Sequence, residues 1–186
     1  MKYHWTIIRP QRGFTLVELM ITLLVAGILT TVAVPSFSRL TMTSRLATQA
    51  NDLVSAMSFT RSEAIKRNAT LRMCRTADVA ATTCAGTTGQ WEHWIVRTQP
   101  GGQVVRRGIV NTYGNTVRVT STLTSDFIDF GSDGLARASG GGLINASDTD
   151  AQFLRVCSTR QSNDNQRKLI LGAGSRVTML KESATC

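Results

Sequence analysis

The sequence predicts an α+β protein in which one long N-terminal helix packs on a globular domain built from antiparallel β-sheet. An uncharged run from Leu19 to Ser38 predicts the first part of the helix. Residues 39–68 contain neither glycine nor proline and continue the helix with a stripe of apolar residues at helical spacing. From Leu71 onward, short alternating segments separated by turn residues predict the sheet.

The N-terminal apolar segment is long enough to cross a membrane. A helix of about 20 residues extends about 30 Å, which is the thickness of the hydrocarbon core of a bilayer. A leader, residues 1–13, precedes the segment and carries Lys2, Arg9 and Arg12. Glu18 stands directly before the uncharged run, and removing its carboxylate from water is costly without a partner. We therefore expect Glu18 to meet a cation inside an assembly.

The second part of the helix is predicted to be amphipathic. Its apolar stripe follows steps of four, three, four and seven residues and consists of Leu46, Ala50, Leu53, Met57 and Ala64. We expect Leu46, Leu53 and Met57 to be buried against the sheet. Pro35 is expected to kink the helix or to loosen its hydrogen bonding locally. The stripe lacks large aromatic residues, which disfavours the alternative of a helix lying on a membrane surface.

Eight segments after the helix have the composition of β-strands. They are residues 71–74, 91–98, 104–110, 116–122, 127–130, 153–157, 168–171 and 176–180. Residues 116–120 alternate valines with polar residues, as expected for a strand with one buried face. Residues 100–102 (Pro-Gly-Gly) and 113–115 (Tyr-Gly-Asn) are turn signals between strands. Since no internal repeat or second boundary is visible, residues 69–186 are predicted to form one β-rich domain.

Four cysteines, Cys74, Cys84, Cys157 and Cys186, all follow the apolar segment. An even number of cysteines in an exported domain predicts disulfides. Three pairings are compatible with the sequence, and the simplest joins Cys74 to Cys84 and Cys157 to Cys186. Zinc is disfavoured because the cysteines form no C-x-x-C and the two histidines are not in ligand spacing. We therefore expect no metal site, and we expect His93 to be a strand residue.

The chain is strongly basic, with a formal net charge of +9. Loss of the three cations of the leader would lower this charge to +6. Such a charge favours polyanionic partners, either nucleic acid or an anionic membrane surface, without choosing between them. The alternative interpretation is that scattered arginines only keep the surface solvated.

Residues 13–18 read Gly-Phe-Thr-Leu-Val-Glu and resemble the class III signal of the type IV pilin superfamily. The resemblance implies cleavage by a prepilin peptidase between Gly13 and Phe14, followed by N-methylation of Phe14. It also implies that Glu18 pairs with the amino terminus of a neighbouring subunit. An ordinary secretory signal loses its apolar core with the leader, whereas this signal leaves the helix in the mature protein. A plain membrane anchor is the alternative, and the Gly-Phe junction, the position of Glu18 and Pro35 disfavour it.

A second resemblance covers, in pieces, most of residues 13–180. Residues 61–67, Cys74, residues 91–96 and residues 128–136 resemble the GspH/FimT class of minor pilins and pseudopilins. This implies a low-abundance subunit in the tip or initiation complex of a type IV pilus or a type II secretion pseudopilus. Its partners would be other major or minor pilins or pseudopilins and the prepilin peptidase. The protein would cross the bacterial inner membrane once, with its C-terminal domain in the periplasm.

The resemblance divides the chain into four parts. They are a prepilin leader at residues 1–13, a transmembrane and assembly helix at 14–38, its amphipathic continuation at 39–68 and a globular domain at 69–186. Only the leader would be removed on maturation.

DNA-binding members of this class carry a Gly-Arg-x-Arg pattern in the last strand region. Residues 174–178 here read Gly-Ser-Arg-Val-Thr, so Arg176 matches the first arginine and Thr178 stands in the place of the second. A C-terminal basic patch is still predicted, and it comprises Arg155, Arg160, Arg167, Lys168 and Arg176. Phosphate contacts by such a patch would give salt-sensitive, sequence-independent binding. The alternative function is therefore a DNA-binding minor pilin acting in DNA uptake, with double-stranded DNA as its partner, and a merely solvated basic face is the remaining interpretation.

Catalytic functions are disfavoured by the sequence. Residues 129–131 read Asp-Phe-Gly, as in protein kinases, but no glycine-rich phosphate loop or His-Arg-Asp segment accompanies them. A Ser-His-Asp site in the globular domain would have to use His93, the one histidine there. We therefore expect neither an enzyme nor a cofactor, and we expect residues 129–131 to form the end of a strand and a turn.

Overall fold

The computed structural model describes residues 13–123, 125–144 and 152–186, so the leader up to residue 12 lies outside the described residues. Helix α1 spans Leu16–Arg67 and continues through Pro35. The helix begins where the Thr15 hydroxyl accepts a hydrogen bond from the backbone N–H of Glu18, at 3.2 Å. It ends before Asn68, whose φ of 49° is the left-handed conformation that commonly closes a helix.

Nine strands follow α1 within the described residues. They are β1 (Thr70–Thr76), β2 (His93–Gln99), β3 (Val104–Ile109), β4 (Val117–Ser121), β5 (Phe127–Phe130), β6 (Ala136–Arg137), β7 (Gln152–Ser158), β8 (Gln166–Leu171) and β9 (Val177–Glu182). A short 3-10 helix at Ala173–Ser175 lies between β8 and β9.

The strands form two antiparallel sheets. The first has five strands in the order β3-β2-β1-β5-β6, and the second has four strands in the order β4-β7-β8-β9. The two sheets touch through the segment before β2, where the backbone N–H of Trp91 donates to the carbonyl oxygen of Val119 at 2.8 Å. The predicted α+β class is therefore confirmed, with the antiparallel strands divided between two sheets.

The amphipathic part of α1 packs on the sheet domain. The chain divides into two compact units at Leu40, and from Thr41 onward the helix belongs to the same unit as the strands. Leu46 and Met57 are fully buried, and Leu53 is 2% exposed, as the apolar stripe predicted. They share one core with inward-facing residues of both sheets, including Leu71, Met73, Phe130, Val119, Val156 and Leu169.

The predicted strands differ from the observed ones mainly at their ends. The segment predicted at 91–98 begins at His93 instead, because the backbone of Trp91 bonds to Val119 of β4 and its side chain is buried. His93 lies in a strand, as expected. The two-residue strand β6 had no sequence signal, since two residues cannot show a period. Residues 127–131 form β5 and the turn after it, as predicted for the Asp-Phe-Gly segment.

Two disulfides close loops of the globular unit. The structure joins Cys74 to Cys84 and Cys157 to Cys186, the simplest of the three pairings that the sequence allowed. The first holds the long loop after β1 against that strand. The second fixes the C-terminal residue to the end of β7, so the last residues cannot separate from the sheet.

Candidate functional site

The first part of α1 is apolar and exposed. Phe14 is 83% exposed, and the side chains of Leu19, Leu23 and Leu24 are each more than half exposed. Within the described residues, α1 is the one helix long and apolar enough to cross a membrane, and none of its most apolar window is buried. An exposed apolar surface of this size is unfavourable in water. Lipid or other helices must therefore cover this part of α1.

Glu18 is the one acidic residue of this apolar part of the helix. It lies in the first turn, and its backbone N–H is bound by the Thr15 hydroxyl. Among the described residues, no cation lies within salt-bridge distance of its carboxylate. Glu18 is four positions after Phe14, so three residues separate its carboxylate from the predicted new amino terminus.

The structure removes Arg167 from the predicted basic patch. Its side chain is fully buried, and its guanidinium is ion-paired to Asp164 at 2.8 Å. The same nitrogen also donates to the backbone carbonyl oxygen of Gln166 at 2.9 Å. The cause is the register of β8, which pairs Arg167 with Val156 and so turns its side chain inward. Arg167 is therefore a structural cation and does not contribute to any exposed surface.

Arg155 and Lys168 lie side by side on the outer face of the four-stranded sheet. They are cross-strand partners in β7 and β8, with Thr120 next to Arg155 on β4. The Lys168 ammonium forms a 2.6 Å ion pair with Glu182, and the Arg155 guanidinium donates a 3.4 Å hydrogen bond to the Thr120 hydroxyl. Half-exposed Arg155 therefore keeps its positive charge uncompensated among the described residues, whereas that of Lys168 is offset.

Arg160 and Arg176 are exposed but lie at opposite ends of the same sheet. Arg160 follows β7, and Arg176 precedes β9 at the hairpin that joins it to β8. Since these strands are about six residues long, the two arginines are separated by about 20 Å along the sheet. The predicted cations therefore form an elongated arrangement and not a compact patch.

Arg118 is an exposed cation on this face that the predicted set omitted. It lies on β4 opposite Cys157, two residues from Thr120, so its side chain shares the face of Arg155. The valine alternation of residues 116–120 already placed Arg118 on the polar face, and the register with β7 adds the neighbour. We call Arg118, Arg155, Arg160, Lys168 and Arg176 the basic stripe.

Thr178, at the place of the second arginine of the DNA-binding pattern, also belongs to the outer face of this sheet. It is exposed and pairs with Ile170, two residues from Lys168 on β8. Its hydroxyl donates a 3.4 Å hydrogen bond to the Ile170 carbonyl oxygen. A longer basic side chain at position 178 would therefore project from the same face as Arg155 and Lys168.

The carboxylates of the Asp-Phe-Gly region are engaged in ion pairs. Asp129 accepts two 2.7 Å hydrogen bonds from Arg72, whose guanidinium stacks on the Phe127 ring. Asp133, in the next turn, is paired with Arg137 at 2.5 Å, and hydrogen bonds from Arg137 and from the Leu135 backbone lower the pKa of Asp133. In the described part of the chain, no three His, Cys, Asp or Glu side chains are grouped as for a metal ion.

Comparisons with known proteins agree with the two parts of this architecture. The family model described as type II transport protein GspH matches residues 49–174, and the model of the prokaryotic N-terminal methylation motif matches residues 8–34. No protein with a curated description matches the chain.

Among solved structures, two crystal forms of the type IV minor pilin FimU from Pseudomonas aeruginosa are similar. The first is 12% identical over 72% of this chain and 91% of that one, with a TM-score of 0.47. The second is 12% identical over 74% and 87%, with a TM-score of 0.46. The GspH model matches well over half of this chain. The chain therefore belongs to the GspH family of pilin-like proteins, and it also carries the prokaryotic N-terminal methylation motif.

Proposed function

We propose that the protein is a minor pilin or pseudopilin that joins the tip or initiation complex of a type IV pilus or a type II secretion pseudopilus. In this proposal a prepilin peptidase cleaves after Gly13, and the new amino terminus at Phe14 is methylated. The mature protein crosses the inner membrane once through α1, with its globular domain in the periplasm. The observation that carries the proposal is the methylation motif joined to an exposed apolar helix on a GspH domain.

Glu18 is the residue through which entry into a filament would be controlled. Its carboxylate lies beside apolar surface that lipid or other helices must cover, and an unpaired charge there costs at least about 2 to 3 kcal/mol. The Phe14 ammonium of an adjacent subunit would supply the missing cation. Pairing would then favour the assembled state over the isolated membrane-inserted subunit.

The test is the substitution Glu18→Val, compared with Thr22→Val as a matched control. Thr22 lies one turn further along α1, and its hydroxyl bonds only to the Leu19 carbonyl oxygen, at 2.9 Å, among the described residues. Both variants should reach the membrane in normal amounts. We expect Glu18→Val alone to be missing from sheared filaments, or from pulled-down tip complexes. Equal assembly of Glu18→Val and the parent would refute the role given to Glu18.

A second candidate function is DNA binding during uptake, and the basic stripe is the observation that favours it. The stripe runs from one end of the four-stranded sheet to the other over about 20 Å, the length of about six base pairs, with Arg118, Arg155 and Lys168 on the outer face between the ends. Arg118, Arg155, Arg160 and Arg176 have no carboxylate partner among the described residues. Such a row would contact phosphates without reading sequence. Thr178 interrupts the family pattern at one end of the stripe, so we expect weak binding.

Duplex binding by the full chain in detergent micelles tests this candidate. Affinity should fall steeply with salt, and Arg118→Ala with Arg155→Ala should flatten the salt slope by up to about one unit per lost contact. Lys66→Ala is the control, because Lys66 is an exposed cation of α1 whose charge is paired with Glu63 at 3.5 Å. Thr178→Arg should strengthen binding. Absence of binding at low salt in both the parent and Thr178→Arg would rule out the DNA-binding function, and assembly would be the one proposed function that remains.

A further inference from the structure

Strand β3 is the open edge of the five-stranded sheet. Its neighbour on one side is β2, and no backbone group pairs with its other side among the described residues. The corresponding edge of β4 is covered, since Gln90 bridges to Thr120 and the Trp91 N–H bonds to Val119. Unpaired strand edges are templates for another chain, so an edge left open needs a physical account.

The ladder register shows which backbone groups of β3 are available. The N–H of Val110 donates to the carbonyl oxygen of Glu92 at 2.8 Å, which makes these two residues a hydrogen-bonded pair. Hydrogen-bonded and non-hydrogen-bonded pairs alternate along an antiparallel ladder. Gly108 and Arg106 therefore point their backbone groups at β2, whereas Arg107 and Ile109 point theirs away from the sheet.

A cavity of about 200 Å³ lies beside this edge, between β3 and α1. Arg106, Trp94 and Gly108 form its strand wall, and Asp52 and Leu53 belong to its helix wall. The Trp94 ring packs so closely against Gly108 that a Cβ at position 108 would collide with it. Arg106 and Asp52 are the charged side chains on this side of β3, because the Arg107 guanidinium is bonded on the opposite face of the strand.

Arg106 is held in place without a counter-ion. Its guanidinium lies 4.9 Å from the centroid of the Phe59 ring and 5.9 Å from that of the Trp94 ring. No described carboxylate lies within salt-bridge distance of it. Aromatic contacts of this kind orient a guanidinium and leave its N–H groups free for an incoming acceptor.

The opposite side of β3 is apolar at its surface. The Arg107 guanidinium is engaged, since it donates to the carbonyl oxygens of Val79, at 3.1 Å, and Ala81. Val79 is 52% exposed and Ile109 is 64% exposed. The two faces of the open edge thus differ in chemistry. The α1 side carries the unpaired Arg106 cation, and the other side carries exposed apolar side chains beside an Arg107 guanidinium that is bonded to backbone carbonyls.

We propose that the β3 edge binds an extended segment of a partner protein, which adds to the five-stranded sheet as a further strand. The segment would alternate acidic and apolar side chains, because successive side chains of a strand face opposite ways. Its acidic residues would face Arg106, and its apolar residues would face Ile109 and Val79. The proposal does not depend on entry into a filament, so it can hold or fail separately from the proposed function.

A second copy of this chain is a poor occupant of the edge. Pairing two β3 strands would bring Arg106 and Arg107 of both copies into one small ladder, and like charges across a ladder are destabilising. Arginines on an edge strand commonly prevent self-pairing in this way. The same charges favour a partner of opposite sign, so the edge discriminates between copies of the chain and an acidic segment.

The test measures amide hydrogen exchange by NMR on the full chain in detergent micelles, with a capped peptide of alternating glutamate and valine as probe. We expect the peptide to slow exchange at Arg107 and Ile109 by at least about tenfold, since their N–H groups gain acceptors. Exchange at Arg106 and Gly108, whose N–H groups already face β2, should not change. A peptide of alternating lysine and valine should have no effect.

Two pairs of variants complete the test. Ile109→Pro removes one outward N–H at a position where an edge strand tolerates proline, whereas Ile109→Thr removes the apolar side chain and keeps the N–H. Binding should be lost in the first and only weakened in the second, with slow exchange at Gly108 showing that β3 is intact in both. Arg106→Glu should reverse the preference to the lysine peptide. Unchanged exchange with the glutamate peptide, an equal effect of both peptides, or parent-like binding by Ile109→Pro would overturn the proposal.

Discussion

The carboxylate of Asp164 accepts hydrogen bonds from both terminal nitrogens of the Arg167 guanidinium, at 2.8 Å and 3.2 Å. Arg167 was expected to contact DNA. The ion pair with Asp164 instead holds its side chain in the core of the sheet. Arg167 faces Val156 across the ladder and is fully buried, whereas Asp164 remains partly exposed in the loop before β8. The loop therefore supplies the counter-ion that allows a charged residue to occupy an inward strand position.

The pair gives a first prediction, on stability. Asp164→Ala leaves a buried guanidinium without its carboxylate, so we expect it to destabilise the protein by about 2 to 4 kcal/mol. Arg160→Ala, an exposed position in the same loop, should change stability by less than about 0.5 kcal/mol. Urea unfolding of the full chain in detergent, followed by tryptophan fluorescence, measures both. Equal stabilities of the two variants would show that the ion pair is dispensable.

A second prediction compares two ion pairs of the five-stranded sheet. Asp126 is almost fully buried and is bonded to the Arg75 guanidinium and the Gly89 N–H, so it ties the loop before β2 to β1. Asp129 pairs with Arg72 on the more exposed outer face. Asp126→Ala should cost about 3 to 5 kcal/mol, because a mostly buried cation loses its partner. Asp129→Ala should cost about 1 kcal/mol or less, and the reverse order would contradict this assignment of burial.

A third prediction concerns the two disulfides. The Cys157–Cys186 bridge spans 29 residues and the Cys74–Cys84 bridge spans 10. If each acts by restricting the unfolded chain, removing the longer one should cost about 1 kcal/mol more than removing the shorter one. Paired cysteine-to-serine variants, unfolded in urea under the same conditions, give the comparison. Free thiols at all four positions in protein exported to the periplasm would contradict both bridges.

A fourth prediction follows from the turn after β5. The Arg137 guanidinium lowers the pKa of Asp133 below its ordinary value of 3.8. The unfolded chain therefore takes up this proton first as the pH falls, so the pair stabilises the protein above pH 3.8 and loses that effect below it. Asp133→Asn removes the titrating carboxyl. The free energy of unfolding of this variant should therefore fall less than that of the parent between a pH above 3.8 and a pH below it. An unchanged pH dependence would mean that the pair is broken by solvent.

The helix stripe was predictable because its period is local. Leu46, Leu53 and Met57 lie four to seven residues apart, and any helix through them must place them on one face. The facing of Arg167 was not predictable, since the run Gln-Arg-Lys-Leu-Ile-Leu has no clean alternation and a one-residue shift of register exchanges the two faces. Only pairing with Val156 decides it.

The site shows the same division between local and distant information. Residues 13–18 form a contiguous motif, so the sequence alone predicts the processing signal and singles out Glu18. The basic stripe depends on how β4, β7 and β8 align, and this alignment adds Arg118 and removes Arg167. The open edge of β3 had no sequence signal, because which strand lies at the edge is a property of topology.

The most direct test of the account is the intact mass of the protein extracted from membranes of cells with an active prepilin peptidase. The parent should lack residues 1–13 and carry one added methyl group on Phe14. Gly13→Val, which places a branched side chain at the cleavage site, should keep its leader and remain unmethylated. A parent chain that still begins at Met1 under these conditions would contradict the claim that this protein is a processed filament subunit.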